Sequence, residues 1–124
     1  MTALLPVGIE AQLRNGDEMT PELRQLMRKA RDASEFLKAL ANESRLLLLC
    51  LIAERERSVT ELEEILSLRQ ANVSQQLARL RLDGLVVARR EGKTVFYSLA
   101  NEDVRRMLAI IYEIFCAGGG RPGR

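Results

Sequence analysis

The stretch QANVSQQLARLRLDGLVVARREGKTVFYSL, Gln70–Leu99, decides the fold. In its first part Val73, Leu77 and Leu80 recur at helical spacing, and the residues between them are polar. This pattern predicts an amphipathic helix over residues 70–82. One face of the helix is expected to pack on the body of the protein, which leaves the polar face for a partner.

The second part of the stretch predicts a hairpin. Asp83-Gly84 is expected to end the helix, because glycine adopts the left-handed cap conformation at little cost. Residues 85–90 and 94–98 are rich in strand-forming side chains, and Glu91-Gly92-Lys93 separates them as a turn.

The residues before the stretch predict a second short helix. Ser58 or Thr60 can cap a helix over residues 61–66, and Ser67-Leu68-Arg69 makes a tight break before the next helix. Helix, short turn and helix form a helix-turn-helix, and the hairpin that follows makes it a winged helix-turn-helix. The predicted fold class is mainly α with a small β-hairpin.

Three more helices complete the prediction. Thr20 and Pro21 are expected to begin a helix that reaches Leu40. Asn42 can cap the next helix, whose apolar run over residues 46–53 predicts a central, buried position. Asn101 can cap a last helix that runs to Cys116. The winged helix-turn-helix domain is predicted over residues 20–117, between flexible segments at 1–19 and 118–124.

Composition limits the class of protein. The chain has 124 residues, of which 47% are hydrophobic and 29% charged, as expected of one soluble globular domain or one subunit of an oligomer. Pro6 and Gly8 interrupt the apolar start, which makes it a poor signal peptide, and no apolar stretch has the length of a membrane span. We therefore expect a cytoplasmic protein without a membrane partner, in which a lasting structural disulfide is unusual.

Charge is distributed unevenly along the chain. The net charge is only +2, but the interval from Arg69 to Tyr97 is clearly basic. Its charged residues are Arg69, Arg79, Arg81, Arg89, Arg90 and Lys93 against Asp83 and Glu91. A basic surface on an otherwise nearly neutral body is typical of a DNA-binding element, although a solvated charged face would give the same pattern.

Residue types within this basic interval predict two kinds of DNA contact. The first turns of the second helix of a helix-turn-helix enter the major groove, where amide and hydroxyl side chains can read base edges. The candidates for base contact are Gln70, Asn72, Ser74 and Gln75. Cations position the protein on phosphates instead. The candidates for this role are Arg69, Arg79, Arg89, Arg90 and Lys93.

The chain resembles the ArsR/SmtB winged-helix repressors of bacteria from about Ala33 to Cys116. The motifs that carry the resemblance are LKALANESRL at 37–46, EL at 61–62, ANVSQQLARL at 71–80, DGLV at 83–86 and RREGKTVFYSL at 89–99. The resemblance implies a homodimer, with an interface formed by the N- and C-terminal helices. It also implies binding of double-stranded operator DNA, repression, and release of the DNA when an inducer arrives.

The metal sites of that family have no counterpart here. Many members bind metal through a cysteine pair near the first helix of the helix-turn-helix, but Arg57–Leu62 contains no cysteine. Others bind zinc through Asp and His on the last helix, where this chain offers only Glu102, Asp103 and Glu113, and it has no histidine at all. Because intracellular zinc sites depend on Cys and His ligands, we expect neither a metal site nor a cofactor.

Cys50 and Cys116 resemble the cysteine pair of the sulfide- and persulfide-responsive subgroup of BigR, SqrR and HlyU. That resemblance implies that reactive sulfur species are the inducer and that they link the two sulfurs directly or through additional sulfur atoms. Three alternatives stay open. The cysteines could simply fill core space, the protein could be a metalloid-responsive repressor of the same family, or it could be a thiol oxidoreductase. No Cys-x-x-Cys pair or histidine base supports the last, and the protein is not expected to be an enzyme.

Overall fold

The structure is a computed structural model, and it describes residue 5 and residues 7–16, 19–67 and 72–116. The elements in chain order are α1 (Ile9–Asn15), α2 (Pro21–Leu40), α3 (Glu43–Glu54), β1 (Arg57–Ser58), α4 (Val59–Ile65), α5 (Val73–Leu82), β2 (Val86–Glu91), β3 (Thr94–Leu99) and α6 (Glu102–Phe115). The chain divides into two compact units, residues 1–38 and residues 39–124.

The first unit contains α1 and most of α2. Helix α1 was not predicted, since residues 1–19 show no sustained apolar repeat. Gly8 and Gly16, both with positive φ, are the cap residues on either side of it. Helix α2 begins as predicted, because the Thr20 hydroxyl accepts a hydrogen bond from the backbone N–H of Leu23 at 3.2 Å.

Helix α3 is central to the second unit. The Asn42 side chain caps it by accepting a hydrogen bond from the N–H of Arg45 at 3.0 Å, as predicted. Leu48, Leu49 and Ile52 are buried, and the helix contacts α5, α6 and β3. The expectation that the whole helix is buried is wrong for one face, where the side chain of Cys50 is exposed. That face lines a groove between α3 and the last helix of the chain.

The helix-turn-helix consists of α4 and α5. Ser58, one of the two predicted caps, accepts a hydrogen bond from the N–H of Glu61 at 3.0 Å and starts α4. Helix α5 begins at Val73 and not at Gln70, because Asn72 adopts a left-handed conformation with φ 66° and so interrupts helical geometry. Asparagine is one of the few residues other than glycine that tolerate this conformation.

The wing is a three-stranded antiparallel sheet in the order β1-β3-β2. A two-residue loop, Gly92-Lys93, joins β2 to β3, and Gly92 supplies the positive φ of 64° that so tight a turn requires. Strand β1 has two residues and was not predicted, since so short a segment shows no alternation. The predicted winged helix-turn-helix is confirmed.

Helix α6 follows the sheet and ends the described part of the chain. The Asn101 side chain caps it by accepting from the N–H of Val104 at 3.0 Å, as predicted. Val104 and Leu108 face the core. Within the described ranges, no helix has both the length and the apolar character needed to cross a membrane. The predicted tail at 118–124 lies outside the described residues, and the predicted domain limits stay a prediction.

One buried cation holds the end of α3 to the start of the helix-turn-helix. Arg57 is 6% exposed. Its Nε donates to the carbonyl oxygen of Leu51 at 2.7 Å, and its guanidinium pairs with Glu61 at 2.7 Å and with Glu54. The pKa of Glu61 is lowered, because hydrogen bonds from Arg57 and Arg55 outweigh the desolvation that acts to raise it.

We expect Arg57→Ala to lower the free energy of unfolding by about 2 kcal/mol, since it removes the buried hydrogen bond to the Leu51 carbonyl and leaves the Glu61 carboxylate with Arg55 alone. Urea unfolding followed by circular dichroism measures the loss. Arg55→Ala is the matched control, because the exposed Arg55 side chain also pairs with Glu61, and we expect a change within about 0.5 kcal/mol. Equal losses in the two variants would contradict the structural role of Arg57.

Candidate functional site

The polar face of α5 is free for a partner. Val73, Leu77 and Leu80 are buried against the body of the second unit. The predicted base-contacting residues that the structure describes, Asn72, Ser74 and Gln75, are exposed on the other side. Gln70 and Arg69, also predicted as DNA contacts, lie outside the described residues. The sequence therefore predicted the exposed face of this helix correctly within its described part.

The predicted phosphate-contacting residues lie at the end of α5 and on the wing. Arg79 is exposed and forms an ion pair with Asp83 at 3.1 Å. Arg90 and Lys93 are exposed near the tip of the hairpin, in β2 and in the loop that follows it. Exposed cations of this kind can meet DNA phosphates without large rearrangement.

Arg89 is held by two carboxylates. Its guanidinium donates to Glu56 at 2.8 and 3.2 Å and to Glu91 at 2.8 Å, and it lies 4.7 Å from the centre of the Phe96 ring. The hydrogen bond from Arg89 lowers the pKa of Glu56, and the two carboxylates raise the pKa of Arg89. A phosphate that binds Arg89 must therefore compete with Glu56 and Glu91.

Helices α3 and α6 enclose a groove that contains both cysteines. The groove has a volume of about 400 Å³ and is lined by Glu43, Leu46, Leu47, Cys50, Ile111, Tyr112, Phe115 and Cys116. The first residues of α3 face the last residues of α6, so the helices run antiparallel. The two cysteines were predicted as a pair from resemblance, and the structure brings both to one groove.

The two thiols occupy different positions along their helices. Cys50 lies in the middle of α3, whereas Cys116 ends α6, where its N–H donates to the carbonyl oxygen of Tyr112 at 2.8 Å. Both are free thiols with exposed side chains. Partial desolvation in the groove raises the pKa of the Cys50 thiol, and charge repulsion from Cys116 raises it further.

A second cavity adjoins the groove along the same two helices. It has a volume of about 300 Å³, and it is lined by Cys50, Ala53, Glu54, Arg105, Leu108, Ala109 and Tyr112. Arg105 donates to the carbonyl oxygen of Ala53 and so ties α6 to the end of α3. Cys50 and Tyr112 line both cavities.

Sequence reasoning missed the residues around the thiols, although their spacing was visible. Glu43, Leu47 and Cys50 repeat at helical intervals and so share one face of α3. Ile111 and Phe115 share a face of α6 in the same way, as do Tyr112 and Cys116. What the spacing does not show is that these faces meet.

Among the described residues, no group of three or more His, Cys, Asp or Glu side chains is placed to hold a metal ion.

Comparison with known proteins places the chain among bacterial regulators. Residues 42–87 match the model of "Bacterial regulatory protein, arsR family". The transcriptional activator HlyU of Vibrio cholerae is 43% identical over 94 residues, which cover 76% of this chain and 87% of HlyU. The biofilm growth-associated repressor of Agrobacterium fabrum is 44% identical over 95 residues, which cover 77% of this chain and 81% of the repressor.

Solved structures show the same fold. Reduced HlyU from Vibrio cholerae superposes with a TM-score of 0.69 at 42% identity, over 76% of this chain and 99% of that one. The transcriptional repressor BigR from Xylella fastidiosa superposes with a TM-score of 0.67 at 37% identity, over 80% of this chain and 99% of that one. These similar proteins are all transcription regulators.

We expect Glu56→Gln to tighten DNA binding by up to about fivefold, because it removes a carboxylate that competes for Arg89 and exposed ion pairs are weak. Fluorescence anisotropy with a promoter duplex at several salt concentrations measures the gain, which should shrink as salt rises. Glu102→Gln serves as the control, because it removes the same charge at the start of α6, where the glutamate lies beside Arg105 and not beside Arg89. An equal gain in both variants would show that only overall charge matters.

Proposed function

This chain belongs to the ArsR family of bacterial regulatory proteins and is a DNA-binding transcription regulator, and we propose that it is a repressor that releases operator DNA when reactive sulfur species bridge Cys50 and Cys116. The observation that carries the proposal is the single groove that both thiols line. One of the similar solved structures is described as reduced HlyU. The mention of a reduced form supports regulation that depends on the oxidation state of thiols.

The simplest bridge is a disulfide, and a hydropersulfide R–S–SH can supply the oxidising equivalent. One cysteine thiolate attacks the terminal sulfur, the S–S bond of the donor breaks, and the donor leaves as the thiolate RS⁻. The protein persulfide is then attacked by the second cysteine, which forms the Cys50–Cys116 disulfide and releases H₂S. One donor is consumed, two thiols are oxidised, and the transferred sulfur leaves reduced.

A longer bridge forms when both cysteines are first converted to persulfides. Attack of one persulfide on the other then gives a trisulfide between the two chain positions and releases one H₂S. This route consumes two donors and yields two thiols RSH. A trisulfide can span a longer distance between the two cysteines than a disulfide, which requires their Cα atoms to lie within about 7 Å of each other.

A bridge can change DNA binding because α3 contacts both α6 and α5. Closing the long loop between Cys50 and Cys116 is worth about 4 kcal/mol in the chain-entropy model. It shifts a conformational equilibrium only to the extent that it favours one state. We propose that the bridge moves α6 relative to α3 and displaces the two recognition helices of a dimer from their spacing of roughly 34 Å on DNA.

We assign the DNA contacts to the surface described above. Asn72, Ser74 and Gln75 are proposed to meet base edges, together with Gln70. The proposed phosphate contacts are Arg69, Arg79, Arg89, Arg90 and Lys93. Support comes from the exposure of every described member of both groups on α5 and the wing.

The homodimer is also proposed, on the basis of apolar side chains that α2 and α6 leave exposed. Helix α6 exposes Ile110 and Ile114, which line neither thiol cavity, at 42% or more, and α2 exposes Met27 and Leu37. Large apolar side chains that a helix leaves in water often mark an interaction surface. A second copy of the chain would cover them with the same two helices.

We expect a hydropersulfide donor to weaken binding of the wild-type protein to a promoter duplex by at least about tenfold, or about 1.4 kcal/mol. Cys50→Ser and Cys116→Ser should bind the duplex normally before treatment and lose less than about twofold after it. Intact mass separates the bridges, because a disulfide removes two hydrogens and a trisulfide also adds one sulfur. A Cys116→Ser variant that responds like the wild type would rule out the bridge.

The same measurements separate the two alternative functions. A metalloid-responsive repressor would retain arsenite or antimonite in native mass spectra and release DNA with it, without added sulfur. A thiol oxidoreductase would turn over a peroxide or a disulfide substrate many times per chain.

We expect Ile110→Glu to convert a dimer to a monomer, because a buried, unpaired carboxylate in a subunit interface is costly. Light scattering after size-exclusion chromatography should give half the mass, and DNA affinity should fall by at least about tenfold as the second half-site contact is lost. Ile110 lines neither thiol cavity. Leu82→Glu, at an apolar side chain that is 83% exposed at the end of α5, should leave the mass unchanged. A dimeric Ile110→Glu protein would contradict this interface.

A further inference from the structure

We propose that the groove between α3 and α6 discriminates among sulfur donors by charge. It favours hydropersulfides whose organic group is uncharged and apolar over those whose organic group is anionic, and Glu43 is the residue that disfavours the anionic group. This inference rests on the proposed function, because it concerns the molecule that delivers sulfur to Cys50 and Cys116.

The walls of the groove suit an apolar donor. Apart from the two thiols and Glu43, the side chains that line it are aliphatic or aromatic, among them Leu47, Ile111 and Phe115. Its volume of about 400 Å³ is in the range of small-molecule sites. A donor with an alkyl or benzyl group can place that group against the apolar wall while its terminal sulfur faces a thiol.

The groove lining contains a negative charge, which repels an anionic donor. Among the described residues that line the groove, Glu43 is the only charged one. It lies in the first turn of α3, two turns before Cys50 and on the same face. An anionic donor would lose part of its hydration on apolar walls, gain no cation, and meet a carboxylate of like charge.

The adjoining cavity does not offer a cation in compensation. Arg105 lines it, but the guanidinium donates to the carbonyl oxygen of Ala53 and lies 3.9 Å from Glu102. Glu54 lines the same cavity. Among the described residues, each cavity that reaches Cys50 therefore includes a carboxylate. Glu54 is paired with Arg57, and Arg105 already has partners, so neither compensates the charge of Glu43.

The test compares bridge formation by benzyl hydropersulfide and by glutathione persulfide, which carries two carboxylates and one ammonium group. Intact mass spectrometry at successive times gives the rate of bridging in the reduced, full-length protein. Each rate is divided by the rate at which the same donor reacts with an unstructured cysteine peptide, which removes the intrinsic reactivity of the donors. We expect the corrected rate to be at least about fivefold higher for benzyl hydropersulfide, whose organic group is uncharged.

Variants of Glu43 assign the discrimination to that residue. Glu43→Lys should raise the corrected rate of glutathione persulfide several-fold and leave that of benzyl hydropersulfide unchanged, and Glu43→Gln should lie between. Each change is expected to cost little stability at an exposed first-turn position. Glu64→Gln, at an exposed glutamate on α4, is the control and should change neither rate. Added salt should speed the anionic donor in the wild type only.

The outcomes separate this inference from the proposed function. If both donors bridge the cysteines at equal corrected rates, or the anionic donor is faster, the selectivity is overturned and the bridge stands. If Glu43→Lys leaves the rate of the anionic donor unchanged, Glu43 does not discriminate. If neither donor bridges the cysteines, the proposed function itself fails.

Discussion

The apolar character of α3 around its whole circumference is the constraint on which the second unit depends. A helix without a polar face must be covered on more than one side. The core covers Leu48, Leu49 and Ile52, with α5 and β3 among the elements that contact the helix, and α6 lies against another part of it. One helix therefore contacts both α5, which carries the proposed DNA-contacting side chains, and α6, which leads to Cys116. In the proposed function, a bridge between the thiols acts on DNA binding through this helix.

Two arginines show how burial changes what a cation does. Arg57 is enclosed and its hydrogen bonds go to Leu51, Glu54 and Glu61, so it fixes the junction between α3 and α4. Arg89 is half exposed and its carboxylate partners lie at the surface, where water and salt weaken the pairing. The first arginine holds the fold together. The second is proposed to exchange its carboxylate partners for DNA phosphates.

Local signals allowed much of the fold to be predicted from the sequence. The caps Thr20, Asn42 and Asn101 each accept the expected backbone hydrogen bond, because a cap depends only on residues one turn away. Strand β1 and the start of α5 were missed, since a two-residue strand has no periodicity and a left-handed Asn72 leaves no pattern. The groove could not be predicted either. Periodicity shows that a helical face is apolar, but only tertiary packing decides whether that face joins the core or borders a cavity.

The place of Cys116 at the very end of α6 bears on the length of bridge that the protein can tolerate. The last turn of a helix opens at little cost, while the cap at Asn101 and the contact of Arg105 with α3 hold the other end of α6. If that turn unwinds, the sulfur of Cys116 can move while the rest of α6 keeps its position. Cys50, in the middle of α3, has no such freedom. In the proposed function, Cys50 therefore keeps its position while Cys116 moves, so that the bridge between them can contain two sulfur atoms or three.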